Sequence, residues 1–219
     1  PAIDYIVTKI PRFTFEKFPD AESTLTTSMK SVGEAMAMGR NFAESLQKAL
    51  RSLETGLSGF NEVITSGDRE EIRSNLARPT ADRLLIVADA LRHGLSVEEI
   101  HDLSAYDPWF LRQIESIIQL ETRIKVHGIP RDKASLLYLK QQGFSDVRLG
   151  ELTGESAADV FALRESLGVM PVYKRIDTCA GEFEASTPYM YGTYEEECEG
   201  ISSCESHPTD REKIIILGG

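Results

Sequence analysis

The chain has 219 residues, 41% of them hydrophobic and 27% charged, enough apolar material to close a core in one or two domains of ordinary size. Its 35 acidic residues against 24 basic ones leave a net charge of −11, a field that repels phosphate backbones and anionic lipid and sets aside nucleic acid and membrane surfaces as partners. No apolar run approaches the roughly 20 residues of a bilayer span, no secretory leader is legible, and Cys179, Cys198 and Cys204 are too few for a disulfide framework, so the expected compartment is the cytoplasm.

In chain order, Asp4 to Arg40 reads as strand-like and irregular. Asp4–Ile10 is a β-rich run, Pro11 and Pro19 are breakers, and Met29–Met38 is a further apolar segment. Helical spacing then takes over. Asn41 is placed to N-cap a helix through Leu53, with Glu44 as its capping-box partner and Phe42, Leu46, Ala49, Leu50 and Leu53 on one face. After a loop with Gly56 and Gly59, Ser66 opens a polar helix with Asp68, Glu70 and Glu71 in its first turn, closed by Pro79. Thr80 begins the next, with Leu84, Leu85, Val87, Ala88 and Leu91 apolar and Gly94 as its stop. Further helices are expected over 96–104, 108–126, 132–142, 145–152 and 156–167, joined by short loops.

An internal repeat at an offset of 49 residues aligns Gly94–Leu103 with Gly143–Leu152. In each copy a glycine ends a helix, an apolar residue (Leu95 or Phe144) packs back, and a serine (Ser96 or Ser145) caps the next helix. The expected fold is therefore mainly α: a compact multi-helix domain of stacked helical hairpins, with short β or extended segments from severed flanking α/β domains at both ends. Past Met170 the chain turns extended and tyrosine-rich, lacks the turn signals of a self-contained sheet, and reads as a strap. Lys213–Gly219, with four consecutive large aliphatics before paired glycines, has the pattern of a buried parallel strand. With no initiator Met and no partner for that strand, the chain is expected to be a piece of a longer polypeptide.

Chemical candidates are few. Cys198, Cys204 and His207, with Cys179 upstream, match no common zinc-ligand spacing, and the acidic run 195–199 lacks the alternation of an EF-hand loop. His93, His101 and His127 lie at helix ends, where the dipole accounts for a cation. Gly218-Gly219 could begin a phosphate-binding turn, but no nucleotide-binding or nucleophile-elbow motif is complete. Residues 144–168 have helix-turn-helix proportions, but the second helix carries only Arg164 as a base-reading candidate. The reading is no catalytic, cofactor-binding or metal-binding residue in this chain.

Several strings are distinctive: Asp4–Phe13, Phe15–Phe18, Leu25–Thr27, Met29–Glu34, Met38–Arg40, Glu44–Arg51, Trp109–Leu111, Gly143–Asp146, Pro171–Arg175, Asp177–Ala180, Glu182-Phe183, Tyr189–Tyr191, Thr193–Glu199 and Asp210–Lys213. Together they resemble the large subunit of carbamoyl phosphate synthetase along essentially the whole chain. In that family two homologous ATP-grasp halves are joined by a helical connection, or oligomerisation, domain. The resemblance implies that residues 1–41 end the first ATP-grasp unit, 42–169 form the connection domain, 170–210 the strap and linker, and 211–219 the first strand of the second half. It further implies a parent ligase that makes carbamoyl phosphate from bicarbonate, glutamine-derived ammonia and two ATP, with Mg²⁺ or Mn²⁺, for arginine and pyrimidine synthesis. A glutaminase small subunit and a second copy of the helical domain would be its partners, and the residues that handle ATP and metal would lie outside this chain. The contrasting reading is a free-standing acidic helical module that binds a protein. An unfilled apolar stripe between Thr80 and Val126 would support self-association.

Overall fold

The computed structural model describes the chain except residues 1–3, 19, 65, 186, 197–202 and 217–219. The chain divides into two compact units, one of Asp4–Met170 and one taking in the chain from Pro171 on.

The first unit begins with a hairpin. Strands β1 (Ile6–Arg12) and β2 (Gly33–Gly39) pair antiparallel, with Ile6 opposite Gly39 and Arg12 opposite Gly33. The small side chains Ala35 and Ala37 are buried in β2, which lets helix α1 (Phe42–Arg51) pack close against the ribbon. Thr8 of β1 shares a hydroxyl–hydroxyl hydrogen bond of 2.6 Å with Ser45 of α1.

Asn41 caps α1 as expected, its side chain accepting from the Glu44 N–H at 2.9 Å. The reciprocal half of the expected box is displaced: Glu44 accepts from the N–H of Arg40, one residue before the cap, at 2.7 Å. Gly39 makes room for it, since a Cβ there would lie 2.9 Å from the Glu44 carboxylate.

Seven further helices follow in this unit: α2 (Arg69–Ala77), α3 (Arg83–Arg92), α4 (Val97–Ser104), α5 (Pro108–His127), α6 (Lys133–Gln141), α7 (Asp146–Thr153) and α8 (Ala157–Ser166). Two begin later than the sequence suggests. Asp68, not Ser66, caps α2, and the Ser66 hydroxyl instead accepts from Asp68 N–H, while α3 starts at Arg83 after a turn at Ala81 and Asp82. Helix α5 is the axis of the core: Leu111, Ile114, Ile117, Ile118 and Ile124 form one buried stripe against α1, α3, α4 and α7. Each such side chain contributes about 2–3 kcal/mol of burial.

The 49-residue repeat is structural, and the same ending occurs a third time. Leu95, Phe144 and Val169 each donate to the carbonyl five residues back, at Ala90, Leu139 and Arg164, while Gly94, Gly143 and Gly168 donate to the carbonyls three residues back, at Leu91, Lys140 and Glu165. These are Schellman endings, and the apolar residue after each glycine is buried. Ser96 and Glu99 then form a full capping box on α4, and Ser145 caps α7 by accepting from Arg148 N–H at 2.9 Å.

In the second unit the expected strap is partly a sheet. Strands β3 (Val172–Arg175) and β4 (Met190–Thr193) pair antiparallel, and Glu205 N–H donates to the Tyr173 carbonyl at 2.8 Å on the other edge of β3. The signal missed in the sequence is Asp177, whose carboxylate accepts from Cys179 and Gly181 N–H and so turns the chain just after β3. The expected terminal strand is not formed over the described part, 211–216, where Ile214, Ile215 and Ile216 are exposed. Leu217, Gly218 and Gly219 lie outside the described residues.

Candidate functional site

The most unusual chemistry of the helical unit is a buried set of ions under the loop 57–64. Glu121 of α5 is 1% exposed and accepts from Arg92 Nη2 at 2.5 Å and from Arg148 Nε at 2.9 Å. Arg148 also donates to the Phe60 carbonyl at 2.8 Å, and Arg92 donates to the same oxygen. Asp89, equally buried, accepts from Arg92 Nη1 at 2.7 Å and from the N–H groups of Val63 and Ile64 at 2.9 and 2.8 Å.

At the outer edge, Glu151 accepts from the Ser58 hydroxyl and Lys125 pairs with Glu62 at 2.6 Å. Burial works against the Arg92 charge, but Glu121 and Asp89 outweigh it and hold the guanidinium above its ordinary pKa. The Lys125 ammonium bond draws the Glu62 carboxyl below its usual range. Each charge faces an opposite one, so the set fixes a loop with no regular secondary structure.

Sequence reasoning did not single these four residues out. The available signal was a charge on an apolar stripe: Glu121 lies three or four residues from Ile117, Ile118 and Ile124, and Asp89 lies within Leu85–Ala90.

A second cluster joins α6, α7 and α8. Lys140 donates to the Phe144 carbonyl and to Asp146, at 2.7 and 2.8 Å, and Arg164 Nε reaches the same carboxylate at 3.2 Å. Burial pulls the Lys140 ammonium down to about 8, against the opposing pull of Asp146. Arg164, the base-reading candidate of the helix-turn-helix alternative, also donates to Val169 and is 5% exposed, so it is committed to the interior.

Two apolar openings on this unit involve helix α5. Phe42 of α1 meets Trp109 and Phe110 of α5 at ring-centroid distances of 5.2 and 5.4 Å, and Trp109 and Phe110 are 47% and 44% exposed. Phe42 and Phe110 open onto a groove of about 1420 Å³ whose wall includes Leu46, Leu50, Tyr106 and Ile114. Of the apolar helix faces between Thr80 and Val126, Leu85, Val87, Ile114 and Ile117 are buried, while Trp109 and Phe110 at the start of α5 and Val126 near its end are exposed. A smaller pocket lies between the end of α5 and α6.

The remaining sequence candidates do not converge. His93 caps the end of α3, His127 ends α5, and His101 Nδ1 donates to the Tyr106 carbonyl at 2.7 Å. In the second unit, Tyr173 N–H and Ser206 draw on Cys204 Sγ and bring its thiol below the ordinary range, the Ser206 hydroxyl most strongly. Lys174 takes Glu195 and Glu205 as partners, so Glu195 of the acidic run is neutralised by a lysine. Cys198, Glu197 and Glu199 lie outside the described residues. Among the described residues no three His, Cys, Asp or Glu side chains are grouped to hold a metal ion, and no helix is long and apolar enough to cross a membrane.

Comparison with known proteins supplies the frame. Residues 34–168 match the family described as carbamoyl-phosphate synthetase large chain, oligomerisation domain. The whole chain is 58% identical to the carbamoyl phosphate synthase large chain of Brucella melitensis biotype 1, 56% to that of Rhizobium meliloti and 56% to that of Neisseria meningitidis serogroup B. It spans 19%, 19% and 20% of those relatives' lengths. The matches favour a connection domain over a free-standing binding module. A helical unit held by buried ions, with half-exposed aromatics on one helix end and a family match over 34–168, places this chain in the family of carbamoyl-phosphate synthetase large chain oligomerisation domains.

Proposed function

We propose that the helical unit serves as the connection and self-association element of a carbamoyl phosphate synthase large chain, and takes no chemical step itself. The parent would make carbamoyl phosphate from bicarbonate, ammonia released from glutamine by a small glutaminase subunit, and two ATP with Mg²⁺ or Mn²⁺, in the cytoplasm. Its flanking ATP-grasp halves would carry the nucleotide and metal residues. The family match over 34–168 carries this reading. The ion-locked loop suits a spacer, because a unit that sets the distance between two synthetase halves has to resist bending.

For self-association, the aromatic trio Phe42, Trp109 and Phe110 is the anchor that the surface offers, since aromatic residues beside an apolar groove dominate interface energetics. Sedimentation velocity on the chain at about 100 μM tests it: a reversible oligomer is expected, and Trp109→Glu is expected to weaken it by about 30-fold, the effect of a 2 kcal/mol anchor. A monomer throughout that range would refute the association role. Calorimetry with ATP is expected to give no saturable heat from the chain alone, and a binding isotherm would refute its non-catalytic role.

A further inference from the structure

In a chain of net charge −11, five of the eleven residues from Arg123 to Lys133 are basic or histidine: Arg123, Lys125, His127, Arg131 and Lys133. Two of the five are neutralised on the spot, Lys125 by Glu62 at 2.6 Å and Arg131 by Glu155 at 2.9 Å. Arg123 and His127 form no ion pair among the described residues, and both line the small pocket between α5 and α6.

That pocket encloses about 540 Å³, within the range of small-molecule sites, roughly 300–1,000 Å³. Its apolar wall is Leu120, Ile124, Pro130 and Leu139, and its polar side adds Ser135 and Tyr138 to Arg123 and His127. Spacing puts Leu120, Arg123, Ile124 and His127 on one face of α5, so guanidinium, imidazole and apolar wall face a single volume. An apolar wall with a guanidinium and hydrogen-bonding side chains converging on it is the chemistry of a site for an amphipathic anion.

The local electrostatics choose among anions. Helix α6 begins at this pocket, but its end is already occupied by an anion of the chain itself: Asp132 accepts from Ser135 N–H at 2.9 Å, and that bond holds its carboxyl below the usual range. A phosphate dianion would meet this fixed negative charge with Arg123 as the one permanent cation of the pocket lining, whereas a carboxylate monoanion matches one guanidinium fork. We propose that the α5–α6 pocket is a binding site for a small organic carboxylate, with Arg123 pairing its charge and Leu120, Ile124 and Leu139 holding its apolar body. This assignment stands apart from the association role, which uses the other end of α5.

Benzoate titrated into the full isotopically labelled chain, followed by amide chemical shifts, tests the site. Saturable shifts confined to residues 120–139 are expected, with a Kd in the region of 1 mM. The exposed Arg123→Gln variant is expected to bind about tenfold more weakly, as is the neutral isostere benzyl alcohol to the wild type, while Arg112→Gln on the same helix should bind like wild type. Shifts that are scattered or unsaturable, or equal for Arg123→Gln and Arg112→Gln, overturn the proposal. Inorganic phosphate shifting the same amides at equal or lower concentration than benzoate overturns the choice of carboxylate.

Discussion

Glu121→Gln asks whether the buried ions or the aliphatic layer around them hold the 57–64 loop. The substitution keeps the shape of the side chain and one acceptor oxygen, removes the charge, and points an amide N–H₂ at a guanidinium. Arg92 and Arg148 then remain buried with Asp89 and the Phe60 carbonyl as inner partners, and with Glu62 and Glu151 only at the edge. Each lost charge-assisted hydrogen bond is worth about 1.5–3 kcal/mol, and breaking a buried pair from one side costs about 3–5 kcal/mol. We therefore expect Glu121→Gln to lower unfolding free energy by about 4 kcal/mol, a large part of the 5–15 kcal/mol typical of a domain.

The assay is urea denaturation followed by far-ultraviolet circular dichroism, with the midpoint shifted and the slope retained. Arg148→Met alone should be similarly costly, and the double variant should be less destabilised than the sum by about 2 kcal/mol, because it removes one of the two stranded cations. A single-variant loss under about 1 kcal/mol, or additivity within about 0.5 kcal/mol, would refute the account of an ion-held loop.

Two other expectations concern the junction of α1, α6 and α7. Lys140 has its ammonium lowered from 10.5 to about 8, so between those values the unfolded chain holds a proton that the folded chain has released. Stability should therefore rise with pH from about 8 toward 10.5, with a slope approaching one proton, and the rise should vanish in Lys140→Met; equal slopes in the two proteins by urea titration at several pH values would refute it. Gly143→Ala should fail to fold or lose more than about 3 kcal/mol, because φ is +93° and the added Cβ would lie 2.8 Å from Glu44 Cα; a melting temperature within about 2 °C of wild type would show that the close approach is not needed.

The helical periodicities and caps were legible because each is written within four residues: Asn41, Ser96 and Ser145 cap where expected, and Asp132 and Ser156, the first residues of two expected helices, are their caps. What stayed hidden depends on contacts across the chain. Helical spacing offers no reason to bury the polar residues of α1, yet Glu44, Ser45 and Gln47 are buried where Asn41 Nδ2, Gln47 Nε2 and Arg51 Nη1 donate to the carbonyls of Gln141, Gln142 and Gly143. The β3–β4 pairing was missed for a similar reason: its strands are four residues each and separated by a long irregular connection, so neither alternation nor a hairpin turn announces them. The ion set under loop 57–64 joins three helices and a coil, and no local window contains more than two of its four central members.

The clasp between α1 and the α6–α7 turn bears on how the polypeptide matures. Three carbonyls 92 to 100 residues downstream are the partners of one helix face, so when residues 41–51 leave the ribosome their amide and guanidinium groups have only water to bind. The hairpin and α1 can meet early, but their far side stays provisional until Gly143 has been synthesised and seated. Translation stalled before that codon should leave a nascent chain open to proteases at α1, and release past it should close that window in one cooperative step.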